Sequence, residues 1–288
     1  MSTYRPSTAR AFTLVEMLVV LGIIGVLVAL LLPAINRARI NALNASIAFE
    51  IKSLDQAMET YKQQRGEYPP CFGDYNPSGT LVYGTAARNS SAVERHLQRC
   101  YPKFTTNKDA FYMAAANVDQ AEAIVLWLSM ISTEPGNPFN TSATASRHGY
   151  YEFDARRLVN ADGDLFPTFQ SKYARETDYI YLENRNYEQL RQNNCFARSG
   201  GASTLQRTLP HYSEQADPMG NLIAMNPKRF QIICAGLDGE WGDLNSPSGM
   251  PSKYPWKVFP RGDNYTVGDR DNLTNFSEGR TLGDARPQ

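Results

Sequence analysis

Few residues in this chain are placed to do chemistry, and the most unusual of them is a carboxylate, Glu16. Between Phe12 and Ile35 it is the only charged side chain. An ionised carboxylate at the edge of so apolar a segment is costly in hydrocarbon unless it is paired or stays hydrated. One resolution leaves Glu16 wet at the level of lipid headgroups. The other supplies a cation. A cut after Ala11 creates an α-amino group on Phe12, four residues before Glu16, so amine and carboxylate both project from about the first turn of one helix. A neighbouring copy can exchange that pairing, amine to carboxylate across subunits, which favours a fixed axial stagger between identical helices.

The remaining candidates are weaker. Asp238-Gly239, and Asp162-Gly163 within Asn160-Ala161-Asp162-Gly163-Asp164, are first of all turn formers. The second of these resembles half of a calcium loop, but no Glu follows at EF-hand distance, and it reads as a turn. His96, His148 and His211 lack metal-ligand spacing, and there is neither a Gly-x-Ser-x-Gly elbow nor a phosphate-binding glycine loop. The four cysteines, Cys71, Cys100, Cys195 and Cys234, form no Cys-x-x-Cys pair, which argues against a zinc or redox motif. A Cys71–Cys100 disulfide is the first expectation, with Cys234 a buried thiol on an apolar strand. No catalytic residues are assigned, and the chain reads as a non-enzyme.

The element that positions Glu16 is the run Leu18 to Leu32, with Met17 before it and Ile35 beyond it, long enough to cross a bilayer. A secretory signal has a shorter apolar region followed by its cleavage site. Here the candidate cut precedes the run, which therefore stays in the mature chain. After Pro33 the pattern becomes amphipathic. Ile40, Leu43, Ile47, Ile51, Leu54, Met58 and Tyr61 make one stripe, with Arg39, Asn44, Lys52, Asp55, Glu59 and Lys62 opposite. One helix from Phe12 to about Arg65, roughly 80 Å long, is predicted, with a kink or local unwinding at Pro33 and an end at Gly66 before Pro69-Pro70. Gly22 and Gly25 permit close helix packing. Residues 71–110 read as irregular. A short buried helix is predicted over Ala121–Met130, capped by Asn117 or Asp119. Strands are predicted at Tyr150–Phe153, Asp178–Leu182 and Phe230–Cys234, with a hairpin around Asp217–Met225. Arg198–Ser203 reads as a flexible loop.

Ala11-Phe12-Thr13-Leu14-Val15-Glu16-Met17-Leu18 resembles the prepilin peptidase site of type IV pilins and type II secretion pseudopilins, with Ala11 where that superfamily usually has Gly. The resemblance implies cleavage after Ala11, N-methylation of Phe12, and assembly through Glu16 and Pro33. Gly66-Glu67-Tyr68-Pro69 resembles the turn that closes the pseudopilin spine. Toward the C-terminus, Asp217-Pro218-Met219-Gly220-Asn221, Gly236-Leu237-Asp238-Gly239 and Asp269-Arg270-Asp271-Asn272-Leu273-Thr274-Asn275-Phe276 are similar to segments of the major pseudopilin of type II secretion. There two such loops bind one Ca²⁺. The implied ligands are the Ala235 carbonyl, Asp238, Asp271 and Asn272, the last a neutral amide where that family has an acid, which lowers the expected affinity.

Positive and negative residues balance at 29 each, so no nucleic-acid footprint exists, and 42% of residues are hydrophobic. The expected fold is α+β and pilin-like, a long N-terminal helix on a small antiparallel sheet with a large inserted region. Its segments are a leader (1–11), a membrane and filament-core helix (12–35), the amphipathic half of the spine (36–66), a variable insertion (67–210) and a C-terminal sheet with calcium loops (211–288). The resemblance implies a subunit of a periplasmic type II secretion filament, anchored in the bacterial inner membrane by a single pass. Its partners would be copies of itself, minor pseudopilins, prepilin peptidase and the inner-membrane secretion platform. A type IV pilin or minor tip pseudopilin is the alternative, and a single-span anchored binding protein or enzyme a more distant one.

Overall fold

The computed structural model describes residues 14–72, 91–115, 118–140, 142, 144–160, 163, 165–175, 177–187, 197–199, 206–242 and 256–287. Four helices come first: α1 (Leu14–Arg65), α2 (Ser91–Cys100), α3 (Lys108–Ala114) and α4 (Glu122–Ser129). The strands follow: β1 (Leu158–Val159), β2 (Thr168–Phe169), β3 (Ile180–Glu183), β4 (Ala197–Ser199), β5 (Gln206–Thr208), β6 (His211–Ala216), β7 (Leu222–Ala224), β8 (Phe230–Cys234), β9 (Lys257–Phe259) and β10 (Leu273–Thr274). The architecture is α+β, a long N-terminal helix with small, mostly antiparallel sheets, consistent with the pilin-like fold expected from the sequence.

Helix α1 runs for 52 residues and is unbroken at Pro33, so the local unwinding expected there is not seen. It ends where Gly66, at φ +89°, donates its N–H to the Lys62 carbonyl at 2.7 Å, the left-handed stop for which glycine carries no steric penalty. The chain divides into two compact units between Leu43 and Asn44. In the first, the large apolar side chains from Leu14 to Ile40 are exposed, and the segment is long and apolar enough to cross a membrane.

In the second unit, Ile47, Ile51, Leu54, Ala57, Met58 and Tyr61 are buried along one face of α1. The buried stripe thus starts later than the periodicity indicated. Ile40 is exposed and Leu43 only half-buried, while Asn44, expected on the polar face, is buried. Helix α4 is buried from Glu122 to Leu128. Asp119 caps it: its Oδ1 accepts the N–H groups of Ala121 (2.9 Å) and Glu122 (3.1 Å), while the Glu122 carboxylate accepts the Asp119 N–H at 2.8 Å. That is a reciprocal capping box. Helix α2 lies, and α3 begins, in a region expected to be irregular, Tyr150–Phe153 forms no strand, and β4 pairs with β5 where a loop was expected.

Strand β8 is the centre of an antiparallel sheet ordered β10-β8-β3. All five of its residues are buried, and they alternate between two cores. Phe230, Ile232 and Cys234, with Tyr179 and Tyr181 beside them, join the core built on α1. Ile233, with Ile180 and Leu182, joins a smaller cluster containing Trp241. The second three-stranded sheet, β7-β6-β9, pairs β6 with β7 antiparallel and β6 with β9 in parallel, the one departure from the expected antiparallel arrangement among the described strands.

The polar face of α1 is also engaged. Arg157 binds Glu50 through both oxygens, at 2.6 and 2.7 Å, and Tyr179 donates its hydroxyl to the same carboxylate. Arg229 bridges Asp55 (3.0 Å) and Glu59 (2.5 Å), and the Asn275 amide donates to Asp55 at 2.8 Å. These bidentate and charge-assisted bonds fix how the later chain lies on the spine.

Candidate functional site

The sequence points to sites at the two ends of the chain. At the N-terminal end, Ala11 and Phe12 lie outside the described residues. Glu16 is in the first turn of α1, where a negative charge is favoured by the uncapped N–H groups and the helix dipole. Pro33 lies within the helix and cannot donate to the Ala29 carbonyl one turn back. An added Cβ at Gly22 or Gly25 would meet nothing within 4 Å, so this helix offers shallow, unobstructed faces.

At the C-terminal end, the fold brings the four implied calcium ligands together. Ala235 follows β8, Asp238 lies in the turn beyond it, Asp271 ends a 3₁₀ turn (Gly268–Asp271), and Asn272 leads into β10. Gly236, at φ +75°, allows the two loops to touch, since a Cβ there would fall 2.1 Å from the Asp271 carbonyl oxygen. One Asp271 oxygen accepts the backbone N–H groups of Leu237 (2.5 Å) and Asp238 (2.9 Å), and one Asp238 oxygen accepts that of Glu240 (2.8 Å). Burial, aided by the neighbouring Asp271 and Glu240 carboxylates, raises the Asp238 pKa from its ordinary value.

Asn272 is fully buried, and the inner atom of its amide lies 3.0 Å from the Ala235 carbonyl oxygen and 3.2 Å from those of Glu240 and Gly268. An NH₂ group facing inward has two hydrogens for three acceptors. Turned NH₂-inward, the amide donates to these carbonyls; turned oxygen-inward, it makes a set of four oxygens. Oxygens around Ca²⁺, each 2.3–2.6 Å from the ion, lie roughly 3 Å apart, so the set fits a hard cation. The carbonyls of Glu240 and Gly268 were not anticipated. Backbone ligands leave no trace in side-chain identity, although Gly268, whose added Cβ would fall 2.7 Å from the Gly242 nitrogen, is a residue the close approach requires. Beside this set, Lys257 and Asp269 form a fully buried ion pair.

The sequence also missed a cluster in the middle region. His96 and Cys100, one turn apart on α2, meet Glu67 just beyond α1. The signal was their i, i+4 spacing, legible only if residues 91–100 are taken as a helix. His96 Nδ1 lies 2.7 Å from Glu67 Oε1 and 3.7 Å from Cys100 Sγ, and its Nε2 lies 2.8 Å from the Tyr61 hydroxyl. A nucleophilic relay needs thiol and carboxylate on opposite ring nitrogens; here both meet the same one. Burial pushes the Cys100 thiol up to about 11. The expected Cys71–Cys100 disulfide does not form: Cys71, Cys100 and Cys234 are all thiols, and Cys100 donates to the Arg65 carbonyl at 3.3 Å. Asn160 Oδ1 accepts the Gly163 N–H at 2.7 Å, a turn as expected; Asp162 and Asp164 lie outside the described residues.

Residues 6–32 match the family model of the prokaryotic N-terminal methylation motif. This supports the type IV pilin and pseudopilin superfamily and suggests a pilin-like protein processed by prepilin peptidase. The motif and the single apolar helix are consistent with a membrane-anchored protein. No curated protein and no solved structure matches the chain.

Proposed function

We propose that the protein is a pseudopilin, a structural subunit of a periplasmic type II secretion filament. Prepilin peptidase cuts after Ala11, Phe12 is N-methylated, and α1 anchors the subunit in the inner membrane with its C-terminal part in the periplasm. Assembly then runs through the apolar half of α1, with Glu16 answering the Phe12 amine of a neighbouring copy and Pro33 shaping the helix. Minor pseudopilins and the inner-membrane secretion platform are the further partners. The observation that carries this reading is the methylation motif over residues 6–32 leading into a helix whose apolar side chains stay exposed. Intact mass and N-terminal sequence of the protein from host membranes test it. A start at a methylated Phe12 is expected; a start at Met1, or a cut beyond the apolar run, would sink it.

Calcium is the cofactor in this reading, held by the carbonyls of Ala235, Glu240 and Gly268 and the Asn272 amide oxygen, with Asp238 and Asp271 contributing their second oxygens. It locks the two loops together and performs no reaction. Calcium at a hundredfold over its Kd should stabilise the fold by about 2.7 kcal/mol. Asn272→Asp, which adds a charged ligand, should bind calcium more tightly, and Asn272→Ala should lose it. An unfolding midpoint indifferent to calcium and chelator would remove the ion from the proposal. The helices inserted between α1 and the sheets favour, as a second reading, a minor subunit at the filament tip, where a bulky head has no neighbours above it.

A further inference from the structure

We propose that Glu67, His96 and Cys100 form a binding site for a borderline-soft divalent cation, with zinc the ion of choice, separate from the oxygen-lined loops near the C-terminus. The donor set is one carboxylate oxygen, one imidazole nitrogen and one thiolate sulfur. A mixed O, N, S set selects zinc over calcium or magnesium, which take oxygen alone. The three ligand atoms already lie within 4.8 Å of one another. Around tetrahedral zinc, with bonds of about 2.0–2.3 Å, neighbouring ligand atoms stand roughly 3.3–3.7 Å apart. The Nδ1–Sγ separation of 3.7 Å meets this, and the Oε1–Nδ1 separation of 2.7 Å needs only a small swing of the half-exposed Glu67 side chain.

The surroundings orient the ligands as metal sites require. His96 is fully buried and stacks on Tyr61, with Trp127 edge-on at 5.0 Å, so its ring cannot turn. Its Nε2 faces the Tyr61 hydroxyl, which lies 3.0 Å from the hydroxyl of Tyr101. Without metal, Nδ1–H donates to Glu67 and Tyr61 donates to Nε2. With metal, Nε2–H donates to the Tyr61 oxygen, Tyr61 donates to Tyr101, and the Nδ1 lone pair faces the ion. A hydrogen bond on the far nitrogen is the usual support of a metal-bound histidine. Zinc displaces the Cys100 thiol proton to solvent.

Four arginines lie close: Arg95 lines the cleft beside the cluster, and the other three have partners of their own. Arg99 holds the second Glu67 oxygen at 3.2 Å, Arg185 binds Glu183 at 2.8 Å, and the Arg65 guanidinium covers the Tyr101 ring and reaches the Tyr150 hydroxyl. A solvent-open cleft lined by Glu67, Arg95, Gln98, Arg99 and Arg185 reaches the cluster at Glu67, and in this proposal the fourth coordination position falls to water. Three protein ligands and one water is the open form of a zinc site. Bound there, the ion ties the end of α1 to α2.

The test uses the reduced full chain in detergent with calcium in excess, so that the oxygen-lined loops are occupied. Cobalt(II) should give an intense thiolate-to-metal charge-transfer band, and zinc should abolish it at one equivalent. Cys100→Ser and Glu67→Gln, both at half-exposed positions, should each weaken zinc binding by more than about a hundredfold, since losing a mere outer-shell partner costs 10–100-fold. Absence of the band, or equal zinc affinity in wild type and both variants, overturns the site. Should Cys100→Ser fail to fold, alkylation of Cys100 in the native chain, read by peptide mass, decides instead. Zinc should slow it at least tenfold, and an unchanged rate overturns the proposal.

Discussion

Residues 14–43 and 44–65 of α1 share one helical backbone and differ in what covers them. From Leu14 to Ile35 of the first stretch apolar residues occupy nearly every position, so no face is distinguished, and the large apolar side chains are exposed. In the second, a stripe from Ile47 to Tyr61 is buried to within a few per cent, while Phe49 lies outside it. A helix apolar all round finds its partner outside its own fold, in lipid or in other chains, whereas a striped helix finds it in the chain that follows. Composition sets the solvent and periodicity sets the fold.

The sharpest test of that contrast is a matched pair of substitutions. Leu54→Ala should cost about 2–5 kcal/mol in urea unfolding of the head, and Leu27→Ala should leave the same midpoint unchanged. Equal effects would show that the exposed half contributes to head stability after all. On the polar face of the second half, Arg157→Ala leaves Glu50 with only the Tyr179 hydroxyl of these two partners, and should cost about 1–3 kcal/mol by the same measurement.

Away from the spine the polar accounting is poorer. Neither ring nitrogen of the fully buried His211 has a hydrogen-bond partner among the described residues, nor does the hydroxyl of Tyr265 beside it. Burial, with the Lys257 ammonium adding to it, depresses the His211 pKa to about 3. An unfolded chain therefore binds a proton near pH 6.5 that the folded chain refuses until about pH 3. Stability is fully present above pH 6.5 and should fall, by up to about 1.4 kcal/mol per pH unit, as pH drops between those values. Urea midpoints across pH 4–7 check this, and His211→Phe should flatten the slope. The smallest effect is expected at Phe49, which projects from the striped half of α1 with 73% of its surface exposed. Phe49→Ser should change stability by less than about 0.5 kcal/mol.

Legibility in the sequence followed the range of the interactions. The spine and its stop at Gly66 were readable because helix periodicity and a left-handed glycine are local signals. Strands β3 and β8 were readable from runs of aromatic and branched residues, and the Asp217–Asn221 turn from its Pro-x-Gly. Helix α2 was not: its surroundings are rich in Gly, Asn and Ser, and its face of Val93, Leu97 and His96 is short. The late start of the buried stripe was also hidden, because Ile40 and Leu43 fit the period while lacking anything to pack against. At the C-terminal loops the nearness of Asp238, Asp271 and Asn272 was legible, but the approach of the Glu240 and Gly268 carbonyls to Asn272 was not, because any residue type supplies a carbonyl.

Glu50, Asp55 and Glu59 lie within three turns of one helix; Glu59 accepts from Tyr68, 9 residues on, but the other partners stand 107, 129, 170, 174 and 220 residues further along the chain. Closing contacts of that reach is entropically slow. During synthesis the spine is the first element available and among the last to be secured. Its acidic row is closed in stages, by Tyr68, then Arg157 and Tyr179, then Arg229, and last by Asn275, so a chain interrupted before Arg157 leaves Glu50 without these partners.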